Sequence, residues 1–100
     1  MVRQGSVSLW EMSRRDTKQM FYVYFLKSLK NNNLYIGSTE NLENRLHLHN
    51  LGKVKSTKFY KPWKLVGSEL YQTRSEAVKK ERFLKTSQQR EILKRKYGIF

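Results

Sequence analysis

The run FYVYFLK at residues 21–27 carries apolar or aromatic side chains on both alternating faces. A strand wet on one side alternates with polar residues, so this run predicts a strand buried on both sides, at the centre of a sheet. The polar turn SLKNNN follows, then a second β-rich run, LYIGS at 34–38. Two such runs joined by an Asn-rich loop predict an antiparallel hairpin. The period then changes. Asn41 can N-cap a helix over roughly 42–51, with Glu43 suited to the dipole of its first turn and Gly52 placed to end it. Residues 53–62, KVKSTKFYKP, read as a basic loop. WKLVGSELY at 63–71 returns to strand character, with Gly67 marking a bulge. Thr73 and Glu76 have the T-x-x-E spacing of a capping box before a helix through about Lys85. A last helix, near 87–97, stops at Gly98. The order β-β-α-β-α-α predicts an α+β fold: a small three-stranded antiparallel or mixed sheet flanked by helices. Residues 1–19, MVRQGSVSLWEMSRRDTKQ, have no sustained period and little to bury. They read as a poorly ordered leader to one domain over 20–100.

Length and composition narrow what such a domain can do. The 100 residues allow one modest core, and aromatics at 13% supply material for it. No apolar run reaches the ~18–20 residues of a membrane span. The first residues also lack the apolar stretch of a secretory signal, so an intracellular protein is the default. There is no cysteine, which excludes disulfides, thiolate zinc sites and cysteine nucleophiles. His47 and His49, two apart, point to different sides of a helix and do not suit a metal pair. A hard, oxygen-bound metal is what remains. Lysine plus arginine number 21 against 8 acidic residues, a net charge of +13. This excess, spread from Lys53 to Lys96, predicts a folded basic surface and a polyanionic partner, nucleic acid above all.

A few residues stand where their chemistry is conspicuous. On a helical wheel Glu81 falls among Ala77, Val78 and Leu84, the apolar stripe of its helix. A carboxylate there needs a partner: a lysine or arginine at the stripe's edge, or a metal or catalytic role. Arg45 and His49 lie about 40° apart on the 42–51 helix, bordering the face that meets the sheet. They are either a snorkelling arginine and a half-buried histidine, or a phosphate clamp beside a titratable group. Tyr24 and Tyr35 lie on neighbouring strands; if both face that helix, their hydroxyls converge on Arg45. Gly37 suggests a bulge or a close approach of backbone or substrate. Lys53, Lys55, Lys58, Lys61 and Lys64, interleaved with Phe59, Tyr60 and Trp63, form a solvated basic face suited to tracking a phosphate backbone with base stacking.

The paired elements VYF-(x)8-LYIG resemble the signature of the GIY-YIG nucleases, over about residues 21–87. Tyr24 takes the place of the tyrosine in the first element, here Tyr22-Val23-Tyr24, while Tyr35, Ile36 and Gly37 match the second intact. Arg45, ten residues on, falls where the family has its catalytic arginine, and His49 where many members carry a histidine one helical turn later. Glu81, in SEAVKKERFLK, is similar to the metal-binding glutamate. The stand-alone bacterial branch, related to the nuclease domain of the excision-repair incision subunit, looks most similar. Two departures stand out. Tyr22 replaces the first glycine, and only Gln88 and Gln89 lie near the place of a C-terminal asparagine that some members use. The resemblance implies a cytoplasmic, nucleoid-associated endonuclease that hydrolyses DNA phosphodiesters at a single Mg²⁺ or Mn²⁺ site. In it Tyr24 or Tyr35 would orient or deprotonate water, Arg45 would stabilise phosphate charge and Glu81 would hold the ion. Gly37, Lys53, Lys55, Lys58 and Lys61 would contact DNA. The rival expectation is a non-catalytic nucleic-acid-binding module, a degenerate nuclease or an RNA-binding protein.

Overall fold

The computed structural model describes residues 19–99; residues 1–18 of the expected leader lie outside the described residues. The strands β1 (Phe21–Ser28), β2 (Leu34–Thr39) and β3 (Trp63–Tyr71) form one antiparallel sheet in the order β2-β1-β3. Helix α1 (Leu42–Asn50) follows β2, and α2 (Arg74–Leu84) and α3 (Ser87–Lys96) follow β3. The fold is α+β in the expected order. The central strand is β1, and Val23, Tyr24, Phe25 and Leu26 in its middle are all buried. Each such side chain contributes roughly 1.5–3 kcal/mol of burial.

Strand alternation divides the core in two. On one face Val23, Phe25, Leu34 and Ile36 meet Ala77 and Leu84 of α2, Leu93 of α3 and Ile99. On the other, Tyr24, Leu26 and Trp63 meet Leu42 and Leu46 of α1. Local chemistry fixes the helix ends. The Asn41 side chain accepts from the Asn44 amide at 3.0 Å, and Thr73 and Glu76 close a reciprocal capping box. Gly52 and Gly98 take positive φ, 78° and 67°, where the chain leaves α1 and α3.

The bulge expected at Gly67 sits one residue away. Phe25 faces Gly67 and Leu26 faces Leu65, so Val66 is the extra residue of β3. Gly67 has its own requirement, because the Tyr97 ring lies where a Cβ would stand. The bulge expected at Gly37 is absent, since β1 and β2 pair through it without a shift.

The loop between α1 and β3 is tied down along its length. The Asn50 amide clamps Trp63 at the neck, donating to its carbonyl at 3.0 Å and accepting from its N–H at 2.6 Å. Leu29 N–H donates to the Pro62 carbonyl at 2.8 Å, and the Ser28 hydroxyl donates to the Tyr60 carbonyl. Lys58–Tyr60 form a single 3₁₀ turn.

Candidate active site

Tyr24 on β1 pairs with Gly37 on β2, and Tyr35 lies two residues from Gly37 on the same face. A Cβ at Gly37 would stand 2.6 Å from the Tyr24 hydroxyl oxygen. The glycine therefore gives the phenol a seat. The close approach expected at this glycine is therefore made, in this structure, by the Tyr24 side chain. The two tyrosine rings lie 6.1 Å apart, and His49 of α1 meets Tyr35 edge-on at 4.9 Å.

The α1 spacing brings Arg45 and His49 down onto these rings. Arg45 Nε donates to the Tyr24 hydroxyl at 3.4 Å, and this bond, with a smaller contribution from Tyr35, raises the guanidinium pKa against its partial burial. His49 Nε2 lies 2.8 Å from the Tyr24 hydroxyl. On the other side of the imidazole, Nδ1 lies 2.7 Å from the Thr57 hydroxyl. Tyr24, His49 and Thr57 are each at most 1% exposed.

This burial dictates the electrostatics. Burial pushes the Tyr24 phenol up to about 12, Tyr35 and Glu81 add to the rise, and the hydrogen bond from Arg45 opposes it. Burial, and then the Arg45 charge, push His49 down to about 4. At neutral pH the site holds a neutral imidazole, a neutral phenol and one fixed cation.

Glu81 lies across the sheet from the phenols, on α2 at the edge of β2. Its Cα lies between Ala77 and Leu84 on the packed side of α2, yet the carboxylate does not enter the apolar core and its side chain stays 19% exposed. It accepts from the Ser38 hydroxyl at 2.6 Å, at the end of β2, and pairs with Lys85 Nζ at 2.7 Å. The stripe-edge cation expected for Glu81 is thus present, and it is Lys85. Lys85 in turn lies 6.0 Å from the Tyr35 ring centre. No direct contact joins Glu81 to the phenols, although its charge acts on Tyr24.

The only acidic oxygen donor at this end of the site is the Glu81 carboxylate, among the described residues. Among the described residues no three His, Cys, Asp or Glu side chains gather. One partly exposed carboxylate could ligate a hard divalent ion only with water and phosphate oxygens completing the shell, and Lys85, now against it, would have to give way.

Lys53, Lys55, Lys58 and Lys61 are all exposed on the loop that Thr57 fastens to His49. Phe59 and Tyr60 are exposed beside them, at 68% and 42%. Trp63 is not. It is buried, and its indole N–H donates to the Thr57 carbonyl at 3.0 Å, so it cannot stack on a base as expected. Thr57, Ser38 and Asn50 are neighbours that sequence reasoning missed, and it left the cation paired with Glu81 without a number. Only Lys85 carried a local signal, its i,i+4 spacing from Glu81.

Comparison with known proteins identifies the family. The GIY-YIG catalytic domain family matches residues 20–97. A UPF0213 protein of Staphylococcus haemolyticus is 43% identical over 74 residues, which cover 73% of this chain and 89% of that one. A UPF0213 protein of Clostridium perfringens is 43% identical over 67 residues, covering 66% and 71%. The solution structure of a UPF0213 protein from Bacillus halodurans is 30% identical, covers 74% of this chain and 81% of its own, and superposes with a TM-score of 0.47. The family match spans both signature strands, α1 with Arg45 and His49, and the helix carrying Glu81, so the chain belongs to the GIY-YIG catalytic domain family.

Proposed function

We propose that the protein is a divalent-metal-dependent DNA endonuclease that hydrolyses phosphodiester bonds at this site. The observation that carries the reading is the buried Tyr24–His49 hydrogen bond beside the Arg45 guanidinium. A lone phenol at about 12 is a poor base at neutrality, because almost none of it is ionised. A phenol with an imidazole nitrogen behind it needs no such ionisation. As water attacks phosphorus, its proton passes to the Tyr24 oxygen and the Tyr24 proton passes to His49 Nε2. The imidazolium then carries the charge, and the leaving 3′-oxygen takes a proton from solvent.

Arg45 acts twice in this scheme. Its guanidinium offers donors to the phosphate as charge grows on the equatorial oxygens. A phosphate bound there also offsets the Arg45 charge, which after burial is the lesser cause of the lowered His49 value, and so makes the imidazole a better acceptor. Glu81 would hold Mg²⁺ or Mn²⁺, with Lys85 giving way, and Ser38 keeps the carboxylate oriented. The ion supplies charge stabilisation to the phosphate and the leaving oxygen. The lysines of the 53–62 loop meet the DNA backbone, and a protein of this kind works in the cytoplasm beside the nucleoid. Among the described residues no helix is long and apolar enough to cross a membrane.

The Lys85–Glu81 pair favours a second reading, a nucleic-acid-binding module without catalysis, because it gives the carboxylate a purely structural role. Cleavage of a panel of single-stranded, nicked, branched and duplex DNA with and without Mg²⁺ separates the two. Metal-dependent strand scission supports the nuclease. Tight binding with no scission under any metal overturns it.

A further inference from the structure

The imidazole of His49 is buried and held from both sides, and the hydrogens around it can be counted. Tyr24 and Thr57 have one hydroxyl hydrogen each, neutral His49 has one N–H, and Arg45 Nε contributes another. If Nδ1 carries the histidine proton, every hydrogen has an acceptor. Tyr24 donates to Nε2, Nδ1–H donates to Thr57 Oγ1, and the Thr57 hydroxyl donates to the Val54 carbonyl at 3.4 Å. If Nε2 carries it, the Tyr24 oxygen faces two N–H donors, from His49 and Arg45, and the imidazole no longer offers a lone pair at the 2.8 Å contact to receive the phenol hydrogen. Buried polar hydrogens in that state are costly. The first arrangement wins.

What selects it is the acceptor at Nδ1, and that acceptor is held in place by its own backbone. Thr57 N–H donates to the Val54 carbonyl at 3.1 Å. The Thr57 carbonyl accepts from Tyr60 N–H at 3.0 Å and from the Trp63 indole at 3.0 Å. Trp63 is itself clamped by Asn50, the residue after His49. The Asn50 clamp thus closes a ring from α1 through Trp63 and Thr57 back to the imidazole.

We propose that Thr57 is a positioning residue: its hydroxyl fixes His49 as the Nδ1–H tautomer and leaves Nε2 free to receive the Tyr24 proton. The catalytic consequence rests on the nuclease reading; the tautomer does not. Thr57 touches no reacting atom and acts only through His49. The basic loop thereby does two things at once, presenting lysines outward and setting the imidazole inward.

The experiment uses the full chain with ¹⁵N-labelled histidine and two-bond ¹H–¹⁵N correlation spectra at neutral pH, with His47→Gln assigning the two rings. His49 should show a protonated Nδ1 in the parent protein and in Thr57→Ser, which keeps the hydroxyl. Thr57→Val keeps the shape and removes the acceptor, so the proton should move to Nε2 or divide between the nitrogens. A parent protein with Nε2–H overturns the proposal, whether or not Thr57→Val folds. An unchanged Nδ1–H in folded Thr57→Val overturns it too. In Mg²⁺-dependent cleavage, Thr57→Val should lose about 10–100-fold in kcat with KM little altered, and Thr57→Ser should regain most of it. A tautomer shift in a protein with no cleavage in any form supports the role of Thr57 and overturns the nuclease reading instead.

Discussion

Glu81 holds two donors at once, and they make different demands on a substitution. Glu81→Gln keeps an oxygen for Ser38 and releases Lys85, whose side chain is 45% exposed. Exposed pairs of this kind are worth ~0–1 kcal/mol, so the melting temperature should hardly move. Metal-dependent cleavage should be lost, while DNA affinity holds or rises slightly, because a negative charge beside phosphate has gone. Full cleavage by Glu81→Gln would remove the carboxylate from the chemistry. Arg45 makes a separate case. Arg45→Ala should slow cleavage by ~10²–10³, as expected when a donor to developing phosphate charge is removed. Tyr24→Phe keeps the ring over Gly37 and deletes the hydroxyl between Arg45 and His49, so the fold should persist while the rate falls. A parental rate in Tyr24→Phe would break the proton route proposed here.

At the scale of elements, the loop over residues 51–62 decides how well the site is held. Asn50 both donates to and accepts from the Trp63 backbone, and truncation leaves two partly buried groups unsatisfied. Asn50→Ala should cost about 1–3 kcal/mol and lower cleavage through displacement of Thr57, read by chemical denaturation and rate together. Unchanged stability would show that the clamp is dispensable. This loop is also where the sequence was least informative. Strands and helix ends were legible because their causes are local: the apolar run of β1, the Asn41 cap, the T-x-x-E box, the glycines at positions 52 and 98. Strand and helix periods let Tyr24, Tyr35, Arg45 and His49 meet on one face, on the condition that both tyrosines turn toward α1. KVKSTKFYKP has no period, and its one buried side chain, Thr57, is a small polar residue among exposed lysines. Trp63 looked like a stacking aromatic for the same reason; its burial depends on α1 and the loop folding back, which no neighbouring residue announces. Glu81 was found because it breaks an apolar stripe, but the wheel could not show that its carboxylate stops at the edge of β2.

Across the whole molecule, charge and burial set how the protein responds to its solvent. Under the nuclease reading, a net charge of +13 should make binding to DNA fall steeply with salt, through counterion release. Replacing Lys55, Lys58 and Lys61 by alanine should flatten the plot of log K against log salt by about 0.9 for each lysine that meets a phosphate. An unchanged slope would place the binding face elsewhere. Acid should act on the fold through His49. Its folded value lies near 4, below the ordinary 6.5, so the unfolded chain takes up the proton first as pH falls. Between pH 6.5 and 4 the unfolded state binds more protons, stability rises with pH, and it is lost on acidification. The shift corresponds to about 3 kcal/mol at its fullest, a large share of the roughly 5–15 kcal/mol typical of a domain. Carboxylates begin to titrate in the same range, so the parent protein alone does not isolate the histidine. His49→Gln does, because it shares every other group. Its stability should start lower, for want of the bonds to Tyr24 and Thr57, and decline less between pH 6.5 and 4. The two curves of unfolding free energy against pH should therefore converge on acidification. Parallel curves across that window would mean that the imidazole protonates in the folded protein as readily as in the unfolded chain, and that the buried relay does not hold it neutral.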